Sequence, residues 1–176
     1  MMNVDLIDQR RQQQRVKVPM VIDKDRCVQV IGRTEIDGPA NLSFVHGRFE
    51  SGGEHVLVQL VLSTRPPELL STTIIPGKVL NTGVVYVDLV ITSLTGTKLA
   101  SKQEIPILWH DLVPSPGAMP GDMVQKHDFE IEGFEDVVGY CDCEGRFRLV
   151  LAVVVRYCLV IAAERILRVE AAETFC

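Results

Sequence analysis

The chain has little of four things, and each shortage closes off a class of function. Basic residues do not outnumber acidic ones: 18 Lys and Arg stand against 23 Asp and Glu, for a formal charge of −5. There is thus no basic footprint for a phosphate backbone, and nucleic acid is not an expected partner. No apolar run reaches the roughly 20 residues that a membrane helix needs. The longest, Leu149 to Ala163, carries Arg156 at its centre, and it predicts one long strand or a buried strand pair, not a membrane span. Asp5 and Asp8 sit where a secretory leader requires an uncharged apolar core, so the sequence predicts cytosolic synthesis without a signal peptide. Aromatic residues are only 6% of the chain, which leaves Val, Leu and Ile to build the core.

What is present favours sheet. Hydrophobic residues make up 47% of 176, mean hydropathy is positive, and the apolar mass is mostly Val, Leu and Ile, a composition that favours sheet over helix. Turn signals recur at short intervals without helical periodicity between them, which predicts an all-β protein, an antiparallel β-sandwich of jelly-roll-like type. One domain is expected over residues 23–170, preceded by a flexible N-terminal arm with an edge strand (1–22) and followed by a tail (171–176).

Within the arm, Val16, Val18, Met20 and Ile22 alternate as a half-buried strand does, and Pro19 confines that strand to an edge. Such a strand can complete the sheet of a neighbouring subunit or pair within its own chain. Cys27 to Ile36 reads as a strand with a bulge at Gly32. Residues 40–54 read as a short hairpin pinned by Phe44 and Phe49, and His55 to Leu62 as a strong strand. Thr72 to Leu80 and Val84 to Ile91 are two β-branched runs whose connection, Asn81-Thr82-Gly83, predicts a hairpin or bulge. The stretch Glu104 to Glu132 joins a run ending in Trp109 to a second run beginning at Val124. Between them lies a corner, Val113 to Gly121, whose three prolines cannot donate to a ladder, and the whole reads as a hairpin-like unit. Gly139 to Gly145 reads as a turn holding Cys141 and Cys143, and Glu164 to Val169 as strand. The expected core is Val56, Val58, Leu60, Val85, Ile107, Trp109, Phe129, Ile131, Leu149, Leu151, Val153 and Val155.

Chemistry-bearing groups are sparse. Five cysteines leave at least one without an intramolecular partner. Cys141, Cys143 and Cys176, in a turn and a tail, are the candidates for crosslinks between subunits, whereas Cys27 and Cys158, in strand-like runs, are expected buried and free. Cys141-x-Cys143 with Cys158 and His127 lacks the usual spacing of a zinc site, so no metal is assigned. His110-Asp111 and His127-Asp128, with Ser115 near the first pair, lack a nucleophile elbow and oxyanion donors and read as surface loop residues. Glu130, Glu132, Glu135 and Asp136 do not follow a calcium-loop pattern, and Pro76-Gly77-Lys78 is a bend, not a phosphate loop. The expectation is a protein that is not an enzyme, with no catalytic, cofactor-binding or metal-ligating residues.

Ile74-Ile-Pro-Gly-Lys-Val79, Gly83 with the Tyr86 strand, Glu104-Ile-Pro-Ile107, the corner Pro116-Gly-Ala-Met-Pro-Gly121 and the strand series from Phe129 to Val169 together resemble the SPOCS domain. That domain occurs in spore-coat and exosporium-associated proteins of endospore-forming Firmicutes, and the likeness covers about residues 72–170. It is strongest at the turn formed by Pro116, Gly117, Pro120 and Gly121. The resemblance implies a β-rich, non-enzymatic protein of spore-envelope assembly: a homo-oligomer or homopolymer, or a recruiter of other spore-coat proteins; the LysM module that larger members carry is not found in this sequence, so peptidoglycan binding is not expected. It also implies synthesis in the mother-cell cytosol and residence at the spore surface. Abundant cysteine and the missing leader are then compatible, because the protein ends in an oxidising setting.

Overall fold

The computed structural model describes residues 13–170, and every described element is a strand. The strands are β1 (Gln13–Asp37), β2 (Leu42–Val45), β3 (Arg48–Ser51), β4 (Glu54–Leu62), β5 (Glu68–Ile75), β6 (Lys78–Ser93), β7 (Lys98–Pro114), β8 (Met123–Phe134), β9 (Val138–Cys141) and β10 (Phe147–Glu170). They form two antiparallel sheets packed face to face, an all-β sandwich. In one sheet the order is β1-β10-β8, with β9 pairing the first residues of β10. In the other, β2, β3 and β4 lead to β6. β5 pairs the first half of β6, β4 its second half, and β7 nearly its whole length. Since β7 occupies one side of β6, β4 and β5 share the other.

Alternation places the core. Val79, Val85, Val87, Leu89 and Ile91 of β6 face Leu149, Leu151, Val153, Val155, Leu159 and Ile161 of β10 across the sandwich, all buried. Of the expected core, Val56, Leu60, Val85, Ile107, Trp109, Leu149, Leu151, Val153 and Val155 are buried, while Val58, Phe129 and Ile131 pack on its margin. β10 is also apolar on its outer face, where Ala152 is buried. Side chains of the flanking strands reach across that face: Arg33 pairs with Glu135, Gln29 donates to Glu132, and the Tyr140 hydroxyl donates to Glu35 at 2.8 Å. A central strand bridged in this way explains why the run from Leu149 to Ala163 is almost uninterruptedly apolar.

Several expectations need correction. Asn81-Thr82-Gly83 is not a turn: β6 runs through it, and the hairpin lies at Pro76-Gly77, where Ile75 pairs with Lys78 and Gly77 adopts φ 76°. Proline followed by a left-handed glycine suits a tight turn. Gly83 is needed for a different reason, since a Cβ there would lie 2.2 Å from Cζ2 of Trp109, its partner on β7. Gly32 carries no bulge either; the register is continuous from Ile31 to Arg33, and its missing side chain lets β1 cross β7, with a Cβ placed 3.0 Å from the Leu108 carbonyl oxygen. Glu104 to Glu132 is not a hairpin, because β7 pairs with β6 and β8 with β10; the corner carries the chain from one sheet to the other. Gly139 to Cys141 belong to strand β9, and the turn begins at Asp142. β1 passes through Ile22 without a break, so residues 13–22 are strand in the same sheet as the domain.

Candidate functional site

The sandwich has one tight flank and one open flank. On the tight flank β1 crosses β7 at Gly32. On the open flank β5 and β8 face each other, joined by a hydrogen bond from Lys126 Nζ to Thr72 Oγ1. Beside it lies an open groove of about 320 Å³ lined by Thr72, Ile74, Pro120, Gly121, Asp122 and Val124.

Beneath the groove sits a polar cluster that the sequence reading missed. Asn81 is fully buried; its Nδ2 donates to the Tyr157 hydroxyl at 2.8 Å and to Asp111 Oδ1 at 3.1 Å, and Tyr157 donates to Asp111 Oδ2 at 2.5 Å. Burial, reinforced by the hydrogen bond to Asp111, raises the Tyr157 pKa well above the ordinary phenol value. Burial also lowers the Lys126 pKa, opposed by the Asp111 charge. A closed set of donors and acceptors between two sheets suits a structural clamp, since a buried polar group left unpaired is costly. Tyr157 and Trp109 pack with ring centroids 5.3 Å apart. An interrupted β-branched run was the only sequence sign of Asn81, and it read equally as a turn.

The proline corner interlocks with the β5–β6 turn. The Ser115 amide donates to the Gly77 carbonyl and the Gly77 amide to the Ala118 carbonyl, both at 2.8 Å. The buried Ser115 hydroxyl donates to Asp23 Oδ2 at 2.9 Å, Arg26 donates to the Pro114 carbonyl, and Ile22 lies beside Gly117. Two separate motifs, Pro76-Gly77 and Pro116 to Gly121, are therefore one assembly of turns. Ser115 is engaged by Asp23, and His110 contacts Thr82 Oγ1 at 3.2 Å. Contrary to the loop assignment, His110 and Asp111 lie on β7 and His127 and Asp128 on β8, and Asp111 belongs to the interior cluster.

The edge residues of the arm have partners in the chain itself: Val16 lies opposite Leu167, Val18 opposite Arg165 and Met20 opposite Ala163. Ile22 packs on the core, and Met20 is exposed. This is the intrachain alternative of the two pairings the sequence allows; residues 1–12 lie outside the described residues.

Cys27 and Cys158 are not free, which corrects the sequence reading. They are directly opposite partners on β1 and β10 and form a disulfide; Cys158 is buried as expected, but Cys27 is exposed. Both lie in strand-like runs, but only the register brings them together. Cys141, at the end of β9, and Cys143, in the turn that follows it, are exposed free thiols, and that turn is organised by Asp142. Its carboxylate accepts from the amides of Glu144 and Arg146 and from Arg146 Nε, each at 2.9 Å, and the Arg146 amide is the chief reason its pKa is lowered. Cys176 lies outside the described residues. Cys141 and Cys143 sit at the start of the β10 ladder, far along it from Cys158 and His127, so these four do not converge. Among the described residues no helix is long and apolar enough to cross a membrane.

Compared with family models, with curated proteins and with solved structures, the chain matches none.

Proposed function

We propose that this chain is a structural, self-assembling, non-enzymatic subunit of a bacterial endospore surface layer or filament, in the coat or exosporium. The likeness to the SPOCS domain supports the setting, and so does an intrachain disulfide beside two exposed free thiols. The observation that carries self-assembly is the contrast between the two strands of the open flank. β8 is guarded as edge strands usually are: it carries Lys126, His127, Asp128, Glu130 and Glu132, and its pairing with β10 is interrupted by two register shifts. β5 is unguarded. Leu69 to Ile75 contains no charge and no proline, every residue of the run except Ile74 is exposed, and no described strand covers its outer edge.

A second copy of β5 is the natural occupant. Antiparallel pairing about Thr72 sets Ser71 opposite Thr73 of the neighbour and Thr72 opposite Thr72, keeping inner and outer faces matched. That contact is isologous and closes a dimer. Growth into a layer or filament then uses Cys141, Cys143 and Cys176 as the second contact.

Sedimentation velocity under reducing conditions tests this. Wild type associates with rising concentration, Ser71→Lys/Thr73→Lys is monomeric because like charges oppose across the two-fold axis, and Ser71→Lys/Thr73→Glu associates again. If the double-lysine variant associates as wild type does, β5 is not the contact. A wild type that stays monomeric, reduced or oxidised, overturns self-assembly in favour of a module that recruits other coat proteins.

A further inference from the structure

We infer that Cys27, Cys158 and His127 form a redox-gated site for a thiophilic divalent cation of the zinc class, with Asp128 orienting the histidine. The three residues come from three adjacent strands and stand in one cross-strand row. Cys27 of β1 is opposite Cys158 of β10, and Cys158 is opposite His127 of β8. Residues of one such row present their side chains on the same face of the sheet. The ligand atoms of His127, Asp128 and Cys158 lie within 4.8 Å of one another, and Cys27 is bonded to Cys158. Two sulfurs and a ring nitrogen are thereby gathered on the outer face, where Cys27 and His127 are exposed to solvent.

The histidine is held in a ligating form. Asp128 occupies the register shift of β8 with φ 52°, a left-handed conformation unusual for a residue with a side chain. Its Oδ2 accepts a hydrogen bond from His127 Nδ1 at 2.9 Å. With Nδ1 carrying the proton, Nε2 keeps its lone pair, as in metal-ligating histidines whose second nitrogen is held by a carboxylate. Thiolate plus imidazole is a donor set for zinc and not for magnesium or calcium.

In the disulfide neither sulfur is a thiolate. Two equivalents of a small monothiol reductant, of the glutathione class, cleave the S–S bond: two electrons pass to the cysteines, two protons complete their thiols, and the reductant leaves as its own disulfide. The cation then binds both sulfurs as thiolates and displaces those two protons. With Zn–S bonds of about 2.3 Å, two ligating sulfurs stand roughly 3.8 Å apart, within reach of side-chain rotation for cysteines whose Cα atoms are 3.9 Å apart. Two thiolates and one imidazole leave a fourth position for water or an Asp128 oxygen. A chain made under reducing conditions carries the cation; a small disulfide oxidant, of the glutathione-disulfide class, takes two electrons from the two thiolates, leaves as two monothiols after taking up two protons from solvent, and releases the cation as the Cys27–Cys158 bond closes.

The test uses the full chain with Cys141, Cys143 and Cys176 replaced by serine, so that Cys27 and Cys158 are the remaining thiols. After reduction and removal of reductant, Co²⁺ is titrated as the spectroscopic stand-in for zinc, with Trp109 fluorescence recorded alongside to report the fold. The expected result is one Co²⁺ per chain with a thiolate-to-cobalt charge-transfer band, no band in the diamide-oxidised protein, and a weaker complex in Asp128→Asn, by about 10- to 100-fold. His127→Ala should weaken binding at least as much. The inference is overturned if the reduced protein gives no charge-transfer band, folded or not, or if His127→Ala binds Co²⁺ as tightly as the parent.

Discussion

The interior is sealed in two different ways at its two flanks. Where β1 crosses β7, contact is achieved by removing side chains: Gly32 admits the β7 backbone, and Gly83 admits the Trp109 indole. Where β5 faces β8, contact is made by polar groups that satisfy one another, Asn81 with Asp111 and Tyr157, and Lys126 with Thr72. The apolar side gains from close packing and tolerates no added volume. The polar side depends on completing its hydrogen bonds, and no described strand covers the outer edge of β5 or of β8. That combination is why the proposed contact between copies lies on the polar flank.

The largest effect separating the two regimes should come from Leu151, which is fully buried on the central strand. Leu151→Ala should cost about 2–5 kcal/mol by denaturant titration, and a value near zero would mean that the apolar interior is not the main source of stability. Next comes Gly83→Ala, expected to cost about 1–3 kcal/mol because its Cβ would fall 2.2 Å from the indole. If that clash is the cause, Gly83→Ala combined with Trp109→Leu should cost less than the sum of the single changes; simple additivity would refute the steric explanation.

The smallest effect is a pH dependence that Tyr157 and Lys126 place on the polar flank. Tyr157 has a raised folded-state pKa, so its contribution is fully present below about pH 10, where unfolded tyrosine begins to ionise. It is lost above that, because the unfolded chain releases a proton that the folded chain retains. Lys126 has a lowered pKa and acts in the opposite sense, adding stability as pH rises towards about 10.5. Stability should thus fall above pH 10 by at most about 1.4 kcal/mol per pH unit through Tyr157, and Tyr157→Phe should flatten that fall. An unchanged alkaline profile would show that the phenol is not held protonated by this cluster.

Period-two alternation was enough to place Val56, Leu60, Ile107, Leu149, Leu151 and Val153 in a sandwich core, because which face a residue takes follows from strand geometry alone. The Phe44/Phe49 hairpin was legible for the same local reason; the two rings lie 4.7 Å apart. Gly83 misled because a glycine that makes room for a distant ring and a glycine that turns the chain look alike in sequence. The Cys27–Cys158 disulfide joins residues 131 apart, and nothing local to either cysteine encodes the other. Asn81, Asp111 and Tyr157 lie on three strands and become a cluster only when the sheets stack. The amino-acid pattern by itself determined that the chain is all-β, where most strands run and which side chains face inward, since these depend on neighbours two residues away. The tertiary structure alone decided which strands pair, which glycines are spacers, which cysteines meet and which edge stays open, because hydrogen-bond registry between strands is set by the packing of the whole sandwich.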